Sequence, residues 1–371
     1  MRNTILLLTI FIITSMVRAQ SWSRIELPFG ECKVNDISVC LDPLPVWYDV
    51  WVATDKGLAF IHRKGIDYWT SDVGLSGAPI LSVFPRPPFS SGVVYFGTDG
   101  DGVWTWGADE TSKMKFLTES VVSKVHIIKS GPFGNPILII GYGTEKKPSK
   151  ELFLTIDYNG GTTGDHTVLT NFNGPPAEVL DITEDKRGWP IVLVKWHPEG
   201  RKPYTEILLL YETLIPYEKE NQKGMTWNVL YNSIPINYKN VEARCILNED
   251  DKILYIGTNV GIYKCSLGDM KVKPLENCPV KSGVNGLMRD SRGFIWASAD
   301  DGIYIYDGSS WWMMREDVGF ELKKVKKSVE NGLGDMYFIG DDSAVWELRL
   351  NLQKKPIEDA IKILGEIAER L

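Results

Sequence analysis

The segment Asp290 to Tyr306 reads DSRGFIWASADDGIYIY. It opens on a polar turn closed by Gly293 and runs through a β-favouring stretch from Phe294 to Ala299. It turns again on Asp300, Asp301 and Gly302, then re-enters a β-favouring stretch at Ile303. Glycine at the close of such a turn takes positive φ without a Cβ clash. An Asp just ahead of it can accept hydrogen bonds from the turn backbone. The phrase predicts two strands joined by a tight hairpin, with a second turn upstream.

The same phrase recurs along the chain. VWVATDKGLAFI spans Val50 to Ile61, VYFGTDGDGVWTW spans Val94 to Trp106, and ILYIGTNVGIYKC spans Ile253 to Cys265. Weaker copies are MYFIGDDSAVWEL (Met336 to Leu348), ILIIGYGT (Ile137 to Thr144) and PIVLVKW (Pro190 to Trp196). Gly57, Gly102, Gly261 and Gly302 close the turns of four copies; Ala344 stands in their place in the last. Marker residues at the end of each first strand are Thr54, Thr98, Tyr142, Lys195, Thr258, Ala299 and Asp341. They fall about 41 to 44 residues apart, except on either side of Lys195, where Glu199 to Pro203 and Glu218 to Gly224 read as polar insertions. A period of about 40 to 50 residues holding four strand-sized segments predicts an all-β, seven-bladed β-propeller over residues 20–352. Asp185-Lys-Arg-Gly188 repeats the upstream turn of Asp290-Ser-Arg-Gly293. The last copy lacks a fourth strand, and Trp22 to Leu27 alternates like an outer strand. The N-terminal strand is therefore expected to complete the last blade and remove two free edges.

Residues 1–19 carry Arg2, an apolar run from Ile5 to Ile13, and Val17 and Ala19 ahead of the expected cut. This is the pattern of a cleaved signal peptide, too short to span a bilayer comfortably. The expected location is secreted or periplasmic, with no membrane span after cleavage. Net charge is −7, and no polybasic stripe is present, so nucleic acid is not an expected partner. Residues 353–371 read as an amphipathic α-helix with Ile357, Ile361, Leu364, Ala368 and Leu371 on one face. That face would dock on the propeller, or serve self-association or a partner. Of five cysteines, Cys32 with Cys40 and Cys265 with Cys278 are close enough in sequence for disulfides, while Cys245 reads as a buried free thiol.

The phrases at Asp290 to Tyr306, Trp51 to Leu75, Ile253 to Tyr263 and Val94 to Val103 resemble the two-component regulator propeller repeat, an extracytoplasmic sensor-type β-propeller here in stand-alone form. The resemblance implies a propeller fold and a ligand-sensing or binding role. It carries over no catalytic residue, because the repeat motif is structural. Thr155 to Thr163 is similar to the aspartate-box turn of sialidase-type propellers, and is read as a turn.

The four histidines are scattered, and no H-E-x-x-H, G-x-S-x-G or phosphate-binding glycine loop is present. In a propeller the turns between second and third strands gather on one face. Here they carry Asp55, Asp99, Asp101, Asn259, Asp300, Asp301, Asp341 and Asp342. That face is expected to be acidic, as a calcium site, as a docking surface, or simply because Asp favours such turns. No other cofactor is implied. Trp69, Trp311 and Trp312 lie on or beside outer strands, where packing between blades is the expected use. The reading is a non-catalytic binding or scaffold module for a protein or carbohydrate ligand. The alternative is a propeller-fold lyase or glycoside hydrolase acting on a polysaccharide or small molecule.

Overall fold

The computed structural model describes residues 21–349, apart from 40–49, 63–64, 86–93, 108–110, 114–119, 129–136, 151–152, 160–161, 170–174, 220–221, 237, 251 and 315–322. The expected signal peptide, Cys40 and the C-terminal helix lie outside the described residues.

The described strands form seven four-stranded antiparallel sheets. Strand A of the successive blades is Val34–Val39, Ile80–Pro85, Val122–Ile128, Ala177–Glu184, Ala243–Asn248, Val284–Arg289 and Val325–Glu330. Each A strand touches the A strand of the next blade, and the last touches the first, so the ring closes around a central channel. In blades 1 to 6, strands A to D pair in chain order; in blade 7 the outermost place is taken by Ser21–Ile25, which pairs antiparallel with Val345–Arg349.

Seven apolar clusters fill the seven interfaces. One joins Val34, Ile37 and Val52 of blade 1 to Tyr337, Ile339 and Val345 of blade 7. Tight approach requires small residues on the second strands. A Cβ on Gly257 would lie 2.3 Å from the Cys245 Sγ and 2.8 Å from Val284 Cγ1 of the next blade. Trp69 stacks on Trp51 and tilts against Trp106 of blade 2, and Trp311 stacks on Tyr306. These rings fill gaps within and between blades.

Every A strand carries the same irregularity. A β-bulge displaces one residue near its start: Asn35, Leu81, Ser123, Leu180, Arg244, Asn285 and Lys326. Such a residue leaves its own ladder, and four of the seven use that freedom to reach the next blade: Arg244 Nη1 donates to Asn285 Oδ1 at 2.7 Å, and the other three bond a backbone carbonyl. Asn35 Nδ2 donates to Ile80 O at 2.7 Å, Ser123 Oγ to Val179 O at 3.1 Å, and Asn285 Nδ2 to Val325 O at 2.9 Å.

The turns follow their chemistry. Gly102 and Gly261 have φ of 74° and 119°. The marker threonines hold the same turns, since the Oγ1 atoms of Thr54, Thr98 and Thr258 each donate to the closing glycine carbonyl at 2.8 Å. In blade 7, where Ala344 replaces glycine, Ser343 takes the left-handed conformation instead (φ 58°). Asp290 accepts from the amides of Arg292 and Phe294 and from Trp296 Nε1. Asp185 accepts from the amides of Arg187 and Trp189. Asn331 repeats the device in blade 7 with the amides of Leu333 and Asp335.

Two expectations are corrected. Cys32, Cys265 and Cys278 are free thiols. Cys265 packs in the cluster between blades 4 and 5, and Cys278 in the cluster between blades 5 and 6, so one sheet separates their side chains. Cys245 is a buried free thiol. In blade 4, Glu218, Lys219 and Gln222 to Gly224 do not form a separate insertion but belong to a long strand pair, Tyr204–Lys219 with Gln222–Pro235. The second strand pairs with it only as far as Leu209. From there a two-stranded ribbon runs on for about 33 Å at 3.3 Å per residue.

Removing Ser21 to Ile25 should leave blade 7 with an open edge and lower the melting temperature by well over 10 °C, or yield insoluble protein; an unchanged melt would refute closure by this strand. Asp290→Ala should cost about 2–3 kcal/mol in a denaturant melt, because it strands buried donors.

Candidate functional site

The chain direction puts the turns between second and third strands, and the connections into each A strand, on one face of the ring. The eight turn residues singled out by sequence all lie there, but most already have partners. Asp99 pairs with Lys147 at 2.8 Å. Asp101 accepts from Ser76 Oγ at 2.8 Å and Trp104 Nε1 at 3.1 Å. Asp300 pairs with Arg244 at 3.1 Å and Lys324 at 3.3 Å, and accepts from Asn285. Its carboxyl is held below the usual carboxylate range; burial opposes that shift, and the hydrogen bonds from Asn285, Arg244 and Lys324 outweigh it. Asp301 accepts from Ser282 and from Tyr304 Oη. Asp342 accepts from Arg24 Nε and the Ala344 amide. Asp55 and Asn259 accept from the amides of Lys33 and Glu242, which ties each turn to its own A strand. Asp341 lies beside Asp342 on the wall of a cavity of about 530 Å³ between the N-terminal strand and blade 7. The face is therefore one of mixed charge: Lys33 and Lys324, each just ahead of an A strand, and Lys326 and Arg244, on A strands, stand among the carboxylates. Among the described residues, no group of three or more His, Cys, Asp and Glu side chains is placed to hold a metal ion.

Blade 4 rises above this face. Its bulge follows Val179, two residues later in the strand than elsewhere, so Ala177 and Glu178 pair with Trp196 and Lys195 beyond the level of the other blades. Lys195 thus sits past the position its sequence marker implied; Val194 is the structural equivalent of Thr54. Glu178, Lys195 and His197 are nearly buried on this rim. His197 Nε2 is 3.4 Å from Glu178 Oε1, and Lys195 Nζ lies 3.2 Å from Glu145 and 3.9 Å from both Glu178 and Glu242. Burial pushes the Glu178 carboxyl above its ordinary value, against the pull of Lys195 and His197.

Inside the ring, a channel cavity of about 450 Å³ is walled by the A strands. The residues just after the bulges form its polar level: Asp36, Lys124, Asp181 and Lys327. Asp36 accepts from its own strand at Ile37 N (2.9 Å) and from the next blade at Val83 N (3.1 Å), and Lys327 pairs with it at 2.6 Å. Asp181 makes the same two bonds, to Ile182 N (3.0 Å) and Ile246 N (2.9 Å). Two residues further along lie Phe84, His126, Leu247, Met288 and Val329, with Ser38 and Thr183, so a mainly apolar level follows the charged one. The His126 ring meets Phe84 edge-on, with centroids 5.0 Å apart, and its Nε2 is 3.9 Å from Glu184. Enclosure in the wall, then Lys327 and Lys124, lower its pKa to about 4. Sequence reading missed Lys124, His126, Glu178 and Lys195. Their one available signal was position within the A strand or at the strand end of blade 4, which becomes meaningful only once the bulge sets the register.

No protein-family model and no curated protein matches the sequence. Solved structures similar to the chain include the extracellular domain of the hybrid two-component system BT4673 from B. thetaiotaomicron, at 15% identity and TM-score 0.61 over 88% of this chain. The corresponding domain of BT3049 from the same organism is similar at 14% identity and TM-score 0.57 over 86% of this chain. The chain spans 39% of each of those chains. Virginiamycin B lyase from Staphylococcus aureus is similar at 10% identity and TM-score 0.57, over 89% of this chain and 99% of that one. At such identities the likeness establishes the propeller fold. Among the described residues, no helix is long and apolar enough to cross a membrane.

The lowered pKa of His126 has a defined sign. Its neutral form is favoured in the folded protein, so its contribution to stability is full above pH 6.5 and is lost as the pH falls towards 4. His126→Phe keeps a ring against Phe84 and removes the titration. The parent should lose more melting temperature than this variant between pH 6.5 and 4; parallel profiles would contradict the assignment.

Proposed function

We propose that this chain is a non-catalytic ligand-binding propeller of the sensor type, working outside the cytoplasm, with its binding site at the channel and channel mouth on the turn-bearing face. The observation that carries the reading is the channel: a cavity of about 450 Å³ with a charged level above an apolar one, as small-ligand sites require. The apolar segment from Ile5 to Ile13 and the likeness to extracellular sensor domains support the location. A protein or carbohydrate partner would meet the mixed-charge mouth first.

A second reading keeps one specific observation. His197 and Glu178, 3.4 Å apart and nearly buried on the raised rim, could exchange a proton with a substrate, as a propeller-fold lyase or glycoside hydrolase would need. Lys195 beside them would hold an anionic group.

A thermal-shift panel of oligosaccharides, short peptides, organic acids and calcium separates the two. Binding to the folded state raises the melting temperature saturably. The binding reading expects a stabilising compound that is recovered chemically unchanged, with an effect at least tenfold weaker in Arg244→Gln. Conversion of that compound, abolished in Glu178→Gln, would replace this reading with the enzyme. Stabilisation by calcium that disappears in an Asp300→Asn, Asp301→Asn double variant would place a cation on the turn face.

A further inference from the structure

The polar level of the channel contains two copies of one arrangement. In each, a lysine after the bulge of one blade is followed, in the next blade, by an aspartate at the equivalent position. That aspartate bonds the amide of its own next residue and an amide one blade further on. The first copy runs Lys327, Asp36, Val83 N across blades 7, 1 and 2; the second runs Lys124, Asp181, Ile246 N across blades 3, 4 and 5. The first copy is closed by an ion pair of 2.6 Å. The second is open: among the described residues, Lys124 has no hydrogen bond and no carboxylate within 4.0 Å. Asp181 agrees, because burial holds its carboxyl above the usual range, with Lys124 a smaller opposing influence.

The other lining cations are occupied. Arg244 bonds Asn285 at 2.7 Å and Asp300 at 3.1 Å, Lys327 holds Asp36, and Arg289 donates to the Glu249 carbonyl at 3.4 Å. Asp36 and Asp181 spend their lone pairs on backbone amides of two blades each. Lys124 is thus the uncommitted charge of the cavity. Beside it His126 is held neutral, and the walls beyond are Phe84, Leu247, Met288 and Val329, with Ser38 and Thr183 at the same level. At the mouth, burial, Lys33 and Lys324 destabilise the Lys326 ammonium, with Asp341 and Asp342 opposing them.

We propose that the channel takes a small organic acid, with its carboxylate on Lys124 and its apolar body against the Phe84 and His126 rings. This rests on the channel being the binding site and adds the class of ligand. A carboxylate fits because a single uncommitted ammonium faces it and the space beyond is mainly apolar; an inorganic anion would leave that apolar surface without a partner.

The test uses acetate, hexanoate and 3-phenylpropionate, with 3-phenylpropionamide as the uncharged match and inorganic phosphate as the bare anion, read by calorimetry and melting temperature. Affinity should rise from acetate to 3-phenylpropionate, and the amide and phosphate should bind at least tenfold more weakly. Lys124→Met should weaken 3-phenylpropionate at least tenfold while melting, without ligand, within a few degrees of the parent. Lys124→Arg should keep most of the affinity. The inference is overturned if none of the three acids binds at about 10 mM, if the amide binds as well as the acid, if phosphate alone binds, or if Lys124→Met binds like the parent. Should the acids fail while another compound of the wider panel binds and loses affinity in Arg244→Gln, the binding reading stands and the ligand class falls.

Discussion

Five residue pairs, from Ser21 with Arg349 to Ile25 with Val345, join one end of the described chain to the other. They give blade 7 its fourth strand and cover an edge that would otherwise present free amides and carbonyls. Trp22 packs against the cluster between blades 6 and 7 and lies 5.4 Å from the Phe338 ring, so the closure is apolar as well as hydrogen-bonded. The ring then becomes one object. Each of the seven interfaces has its own apolar cluster, and none can be lost without opening the channel they jointly enclose.

Within that ring, the repeated bulge converts seven similar strands into a site. It frees a side chain near the top of each A strand and sets which following residues face the next blade. Where the freed residue is Asn or Ser, it ties two blades together; where it is Arg244 or Lys326, it brings charge to the mouth. The residue after the bulge is Asp in blades 1 and 4, and each Asp holds an amide of the following blade. Structure and candidate function thus use the same positions, and the lysine that the structural scheme leaves over is the one with chemistry to offer.

The turns were legible in the sequence because their chemistry is local. Gly102, Gly261 and the Asp290 turn each follow from a few adjacent residues, and so did the pairing of the N-terminal strand, whose alternation matched an outer strand lacking in the last repeat. What lay beyond the sequence depends on register between blades. Cys265 and Cys278 are close in sequence but face opposite sides of one sheet. The turn carboxylates promised an acidic face, yet Lys324, just ahead of the A strand of blade 7, and Arg244, on the A strand of blade 5, reach Asp300. The extra height of blade 4, and with it the Glu178–His197 pair, comes from a bulge placed two residues late, which no local pattern announces.

Hydrogen exchange at single-residue resolution tests the closed ring most directly. If closure by Ser21–Ile25 holds the ring as one unit, the amides of that strand that bond to Val345–Arg349 should exchange only through the same opening as the strand amides of blades 1 and 7, with matching free energies across denaturant. Exchange of the Ser21–Ile25 amides in an opening several kcal/mol easier than that of Val345–Arg349 and Val34–Val39 would show a strand that decorates the ring without closing it.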